Sequence, residues 1–141
     1  MVTEVSPITF GYSHTIGRQE NRSGNGFFYP VAITRDDEGL LYVVSRGSET
    51  PAFFPCKRVT VLTVDEELVR EFGTKVPPEE ADSSAPDGTF MWPTSIALDK
   101  DGIAYVADEW LNRISVFDKN GACTSKWGIA GDAEGEINHP A

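Results

Sequence analysis

Short apolar stretches alternate with polar, turn-forming residues along the whole chain. In the second half they stand at residues 94–98, 103–107, 113–117 and 123–127, each rich in β-branched and aromatic side chains. Such stretches, bounded by Asp, Asn and Gly, predict four short strands joined by tight connections. The run Asp99-Lys100-Asp101-Gly102 supplies a turn with Gly where a positive φ is needed. The run Asp118-Lys119-Asn120-Gly121 contains Asn-Gly, the strongest short hairpin signal.

The same pattern occurs earlier in the chain. Residues 30–45 align with residues 93–108 without a gap, and Pro, Ile, Asp, Gly, Tyr and Val coincide at six of sixteen positions. Arg58-Val59-Thr60-Val61 then matches Arg113-Ile114-Ser115-Val116, and Phe72-Gly73 matches Trp127-Gly128. The first copy carries eight more residues than the second between its second and third strands. Phe10-Gly11 reads as the aromatic-Gly end of a preceding copy, and His139-Pro140-Ala141 as the start of a following one. A repeated four-stranded antiparallel meander of about 40–60 residues is the signature of β-propeller blades. The expected organisation is an all-β, single segment over 1–141. It comprises a tail and blade end at 1–29, a blade at 30–73, a loop at 74–92, a blade at 93–128 and a further start at 129–141. About two blades make an incomplete ring, because propellers close with about four to eight. Truncation or self-assembly of copies to complete a ring is therefore expected.

The run Pro93-x-x-Ile96-Ala-Leu-Asp99-x-x-Gly102-x-x-Tyr105-Val-Ala-Asp108-x-x-x-x-Arg113-Ile-x-Val-Phe-Asp-x-x-Gly121 resembles an NHL repeat. The match spans the second unit end to end and the first more loosely, with Ser45 in place of Asp108. That resemblance implies the blade of a six-bladed propeller. It leaves function open, since the family includes ligase-associated recognition domains, an amidating lyase and lactonase-like relatives.

Two function classes follow. The preferred one is a non-catalytic module recognising a protein, peptide or carbohydrate. The alternative is part of a propeller enzyme, a lyase or lactone hydrolase with a channel metal. The net charge of −10 disfavours nucleic acid. No apolar run approaches the roughly 20 residues that span a bilayer, so no membrane partner is expected. The N-terminal residues lack the basic and apolar regions of a secretory signal, and a cytoplasmic location is expected. Cys56 and Cys123 read as free thiols. No metal ligand set or cofactor is assigned, and Ca²⁺ or Zn²⁺ belongs only to the enzymatic alternative. His14 and His139 lie at unlike repeat positions, and the acidic turn at 36–39 lacks the ligand count for Ca²⁺. No nucleophile elbow, Walker loop or zinc-protease motif is present.

A meander places alternate connections on opposite faces. On one face the turns at 36–39, 65–67, 99–102 and 118–121 are short; on the other the connections at 13–29, 46–57, 74–92 and 109–112 are long or variable. Long loops on a rigid scaffold are where binding concentrates. That face carries Trp92, Trp110, Phe53 and Phe54, ringed by Glu79, Glu80, Asp82 and Asp87. These aromatics either recognise a ligand or lid the core. Asp108 with Arg113, and Ser45 with Arg58, either contact a ligand or bridge the second and third strands; the bridging role is favoured. The binding candidates are therefore Trp110, Phe53, Phe54, Trp92, Arg113, Arg58 and Asp108. Tyr42, Tyr105, Ile33 and Ile96 are expected in the core, with Phe72 and Trp127 packed between blades.

Overall fold

The computed structural model describes residues 8–20, 22–48, 56–82 and 84–141. Two four-stranded antiparallel meanders dominate it. The first runs β1 (Pro30–Arg35), β2 (Leu41–Ser45), β3 (Arg58–Leu62) and β4 (Leu68–Phe72). A connecting segment follows, with β5 (Thr74–Lys75) paired in parallel to β6 (Thr89–Phe90) and a single 3-10 turn at Pro78–Glu80. The second meander runs β7 (Pro93–Leu98), β8 (Ala104–Asp108), β9 (Arg113–Phe117) and β10 (Cys123–Trp127). The chain is all-β, as expected.

The turns form for the reasons their residues supply. Asp99 Oδ1 accepts the backbone N–H groups of Asp101 and Ile103, and Asp118 Oδ1 accepts those of Asn120 and Ala122. Asp36 Oδ1 likewise accepts the N–H of Leu40. A short carboxylate that satisfies its own turn closes a hairpin without help from packing.

The two sheets stack face to face, with inner strands β1 and β7 side by side. Register places Ala32, Val44, Val59 and Phe72 in one row across the first sheet, with Tyr42 and Val61 beside them. The facing rows of the second sheet carry Ile96 and Val106, then Leu98, Ala104, Phe117 and Cys123. These residues, with Phe90, form one apolar core. Phe117 lies at its centre, 4.7 Å from the Phe72 ring and 5.7 Å from the Phe90 ring. Each large side chain buried here contributes about 1.5–3 kcal/mol. A smaller cluster of Val76, Ala85 and Leu111 lies under the connecting segment.

The repeat makes the faces of one sheet equivalent to those of the other. Ile33 and Val43 stand in the first sheet where Ile96 and Val106 stand in the second. In the second sheet that face meets the first sheet; in the first it borders an apolar hollow of about 430 Å³ lined by Ile16, Phe27, Val31, Ile33 and Leu41 among others. Ile33 is consequently 63% exposed, contrary to its expected place in the core. Trp127 occupies the Phe72 position on the second sheet, but among the described residues no sheet covers it, and it is 55% exposed rather than packed between blades. Tyr105 is half-buried, with its hydroxyl donating to Asp99 Oδ2. Tyr42, Ile96 and Phe72 join the core as expected.

Gly17, and not Gly11, has the geometry that Gly73 has at the end of the first blade. Gly17 and Gly73 have φ values of 84° and 80°, and a Cβ on either would lie 2.2 and 2.0 Å from the ring of Phe27 and Phe90 respectively. Two residues after each glycine, Gln19 bridges Phe27 and Lys75 pairs with Phe90, both in parallel. Ala130 and Ile137 repeat the bridge after Gly128. Phe10 is 90% exposed and takes no part in this arrangement. An aromatic-Gly pair misidentifies the position because the constraint is on the glycine, which must let the backbone reach a ring, rather than on the residue before it.

Candidate functional site on the long-loop face

Asp108 ends β8 fully buried and accepts three backbone N–H groups. Met91 N donates to Oδ2 at 2.8 Å, and Trp92 N and Leu111 N donate to Oδ1 at 3.1 and 3.0 Å. Arg113, its neighbour across the β8–β9 register, is also buried. Its guanidinium donates to the carbonyls of Ala85 (2.6 Å), Pro86 (3.0 Å) and Thr89 (2.9 Å). Burial pulls the Arg113 pKa below its ordinary value, and the carboxylate of Asp108 opposes that pull. The two residues thus clamp the connecting segment onto the second sheet as well as the loop between β8 and β9. In the first sheet Ser45 Oγ accepts the N–H of Phe28, while Arg58 donates to Gly26 O at 2.9 Å and pairs with Glu71 at 2.7 Å. The clamp is the same device with one hydroxyl in place of the carboxylate. Asp108, Arg113 and Arg58 therefore direct their hydrogen bonds inward.

Above the clamp, two of the expected aromatics meet. Trp92 and Trp110 pack edge to face with ring centroids 5.0 Å apart. Trp110 remains 45% exposed, and its indole N–H donates to Ala81 O at 2.9 Å. The carboxylate grip on Trp92 N fixes where the first indole sits, and the carbonyl of Ala81 fixes the second. Phe53 and Phe54 lie outside the described residues.

Sequence reasoning missed Arg46. Its guanidinium lies 4.6 Å from the Trp92 ring centre and 3.9 Å from Glu109. Arg46 and Glu109 occupy equivalent repeat positions, and each donates its backbone N–H to the aromatic before its blade, Tyr29 O and Trp92 O. Opposite charges at equivalent positions of adjacent units were the available signal. A hollow of about 390 Å³ opens beside Arg46, lined by Tyr29, Pro30, Val31, Gly47, Ser48 and Trp92. Tyr29 holds a positive φ of 51°, which for a non-glycine residue stores strain, and its ring is 63% exposed.

Around this cluster the surface is acidic. Glu79, Glu80, Asp82 and Asp87 are exposed, as the sequence pattern indicated. Ser84 satisfies Asp82, and Lys126 pairs with Asp87 at 2.9 Å, each holding its carboxyl below the usual range. On the opposite, short-turn face lies a larger hollow of about 540 Å³, lined by turn residues with Tyr42 and Arg70. Arg70 donates to the Tyr42 hydroxyl at 2.6 Å, and burial raises the tyrosine pKa. Among the described residues no group of three or more His, Cys, Asp or Glu side chains is placed to hold a metal. Both cysteines are free thiols.

No protein-family model and no curated protein matches the chain. Solved structures do. A streptogramin B lyase superposes with a TM-score of 0.50 at 14% identity, over 75% of this chain and 28% of that one. A virginiamycin B lyase from Staphylococcus aureus does so with a TM-score of 0.50 at 14% identity, over 89% of this chain and 37% of the other. The chain thus spans about a third of the lengths of these lyases. Identity this low carries the fold and not the chemistry. With the repeated meander, it establishes the two sheets as blades of a β-propeller.

Proposed function

We propose that this chain is an NHL-type recognition module, which binds a protein, peptide or carbohydrate on its long-loop face without catalysing a reaction. The observation that carries the reading is the Trp92–Trp110–Arg46 cluster, half-exposed above a hollow and outside the core between the sheets. Tryptophan, tyrosine and arginine dominate binding hot spots because they bring large rigid area with a polar handle. The clamp beneath supports the same reading, since a recognition surface needs its anchors held in place before the ligand arrives. NHL identity rests on the motif from Pro93 to Gly121, and a ring of further blades on the open sheet faces.

Binding of the chain to arrayed peptides and arrayed glycans tests the proposal. Discrete ligands are expected, with Trp110→Ala costing about 2 kcal/mol or more of affinity. Binding unaffected by Trp110→Ala would remove the long-loop face as the surface. Stoichiometric Ca²⁺ or Zn²⁺ in protein purified without chelator would turn the reading towards a propeller enzyme.

A further inference from the structure

We propose that the partner at this face is a basic polypeptide segment, and that Arg46 is a resident stand-in for the partner's arginine. The inference rests on the long-loop face being the recognition surface. It says what chemistry that face recognises.

The structure already holds a guanidinium in place. Arg46, from the first blade, lies over the Trp92 ring at 4.6 Å with Glu109 as its counter-ion at 3.9 Å. Both Trp92 and Glu109 belong to the second blade's end of the cluster, so the platform and the anion are built without Arg46. A cation over an indole face with a carboxylate at its edge is a complete recognition unit for guanidinium. Trp110 braces the platform from the side, and its own position is fixed by Ala81 O.

Charge complementarity points the same way. The chain carries a net charge of −10, and Glu79 and Glu80 are exposed on the loop that contacts Trp110. That field attracts a basic segment over distances beyond contact and repels an acidic one. Arg46 is only partly buried, its side chain 33% exposed, and its ion pair is long. The hollow of about 390 Å³ along its flank gives the side chain room to swing aside. An incoming arginine would therefore exchange one guanidinium for another at small cost, while the partner gains the rest of the face.

The test uses the full chain with N-acetyl-arginine amide and its neutral isostere N-acetyl-citrulline amide, followed through the indole N–H resonances. Trp127, on an outer sheet face, serves as the internal control. Arg46→Ala is expected to bind the arginine probe about fivefold or more tightly than the unmodified chain, because the resident competitor is gone. Shifts are expected at Trp92 and not at Trp127. The citrulline probe should bind about tenfold more weakly, and Glu109→Gln added to Arg46→Ala should narrow the difference between the probes to what the Trp92 ring alone supplies. Arg46→Gln serves as a second variant should alanine disturb the loop. Equal binding of arginine and citrulline probes, or no gain from either Arg46 substitution, would overturn the proposal. A neutral glycan that binds in a Trp110-dependent but Glu109-independent way would overturn it too, while leaving the face as the recognition surface. Ligand binding insensitive to Trp110→Ala would instead remove the face itself.

Discussion

A single carboxylate and a single guanidinium decide how the connecting segment lies on the second blade. Asp108 receives three N–H groups, and Asn could offer only one oxygen to them. Asp108→Asn is expected to lower stability by about 2–3 kcal/mol, read from denaturant unfolding at constant slope. Unchanged stability would mean that Arg113 and the apolar cluster hold the connector without the carboxylate. The motif made this pair legible as a bridge between strands, and β8 and β9 do carry the two residues in register. Their grip on residues 85–92 was not legible, because the partners are backbone groups whose identity leaves no trace in the sequence. Arg46 escaped for a related reason: its partners belong to the other blade, and a reading of each unit by itself never places them together. By contrast, Trp92 and Trp110 could be assigned to one face from loop length and strand direction alone.

Elements whose bonds are local were the most legible. The strand over residues 113–117, the hairpin at 118–121 and the turn at 99–102 stand where apolar runs and Asp-Gly chemistry put them. Both turns depend on ionised carboxylates. Hydrogen bonding from Ile103 N holds the Asp99 carboxyl below its usual range, and bonding from Ala122 N does the same for Asp118. A pKa depressed in the folded state gives stability that is complete above the unfolded value, about 3.9 for Asp, and is lost as pH falls through the folded value. Protection of the Ile103 and Ala122 amides is therefore expected to persist to below about pH 4 and then fade. Carboxyl resonances of Asp99 and Asp118 titrating at or above 3.9 would contradict this. At the connector, Gly73→Ala is expected to cost about 2 kcal/mol or more, since the new Cβ meets the Phe90 ring at a positive φ. The sequence marks Gly73 as a repeat position but not the ring it faces. For the same reason Phe10-Gly11 could pass for the position that Ile16-Gly17 fills.

At the scale of the molecule, the described residues form one well-filled interface and leave two sheet faces open. The core between the sheets is closed by Phe72, Phe90 and Phe117, whereas the hollow beside Ile33 and the face bearing Trp127 are uncovered among the described residues. Exposed apolar faces of this kind associate. Ile33→Asp is expected to reduce concentration-dependent association in sedimentation without lowering the melting temperature; an equally associating variant would clear that face of blame. The periodicity of each unit gave no means of telling these faces apart, since Ile33 and Ile96 are the same residue at the same repeat position. Only neighbourhood makes one core and the other surface. The same division separates the core from the long-loop face, where Trp92 and Trp110 pack edge to face outside the apolar cluster between the sheets. The most direct measurement of that division compares the melting temperatures of Phe117→Ala and Trp110→Ala in one chain. Phe117→Ala should lose about 3–5 kcal/mol. Trp110→Ala, half-exposed and giving up one hydrogen bond, should lose about 1 kcal/mol. A loss from Trp110→Ala as large as that from Phe117→Ala would make the tryptophan a lid on the core and contradict its role in recognition.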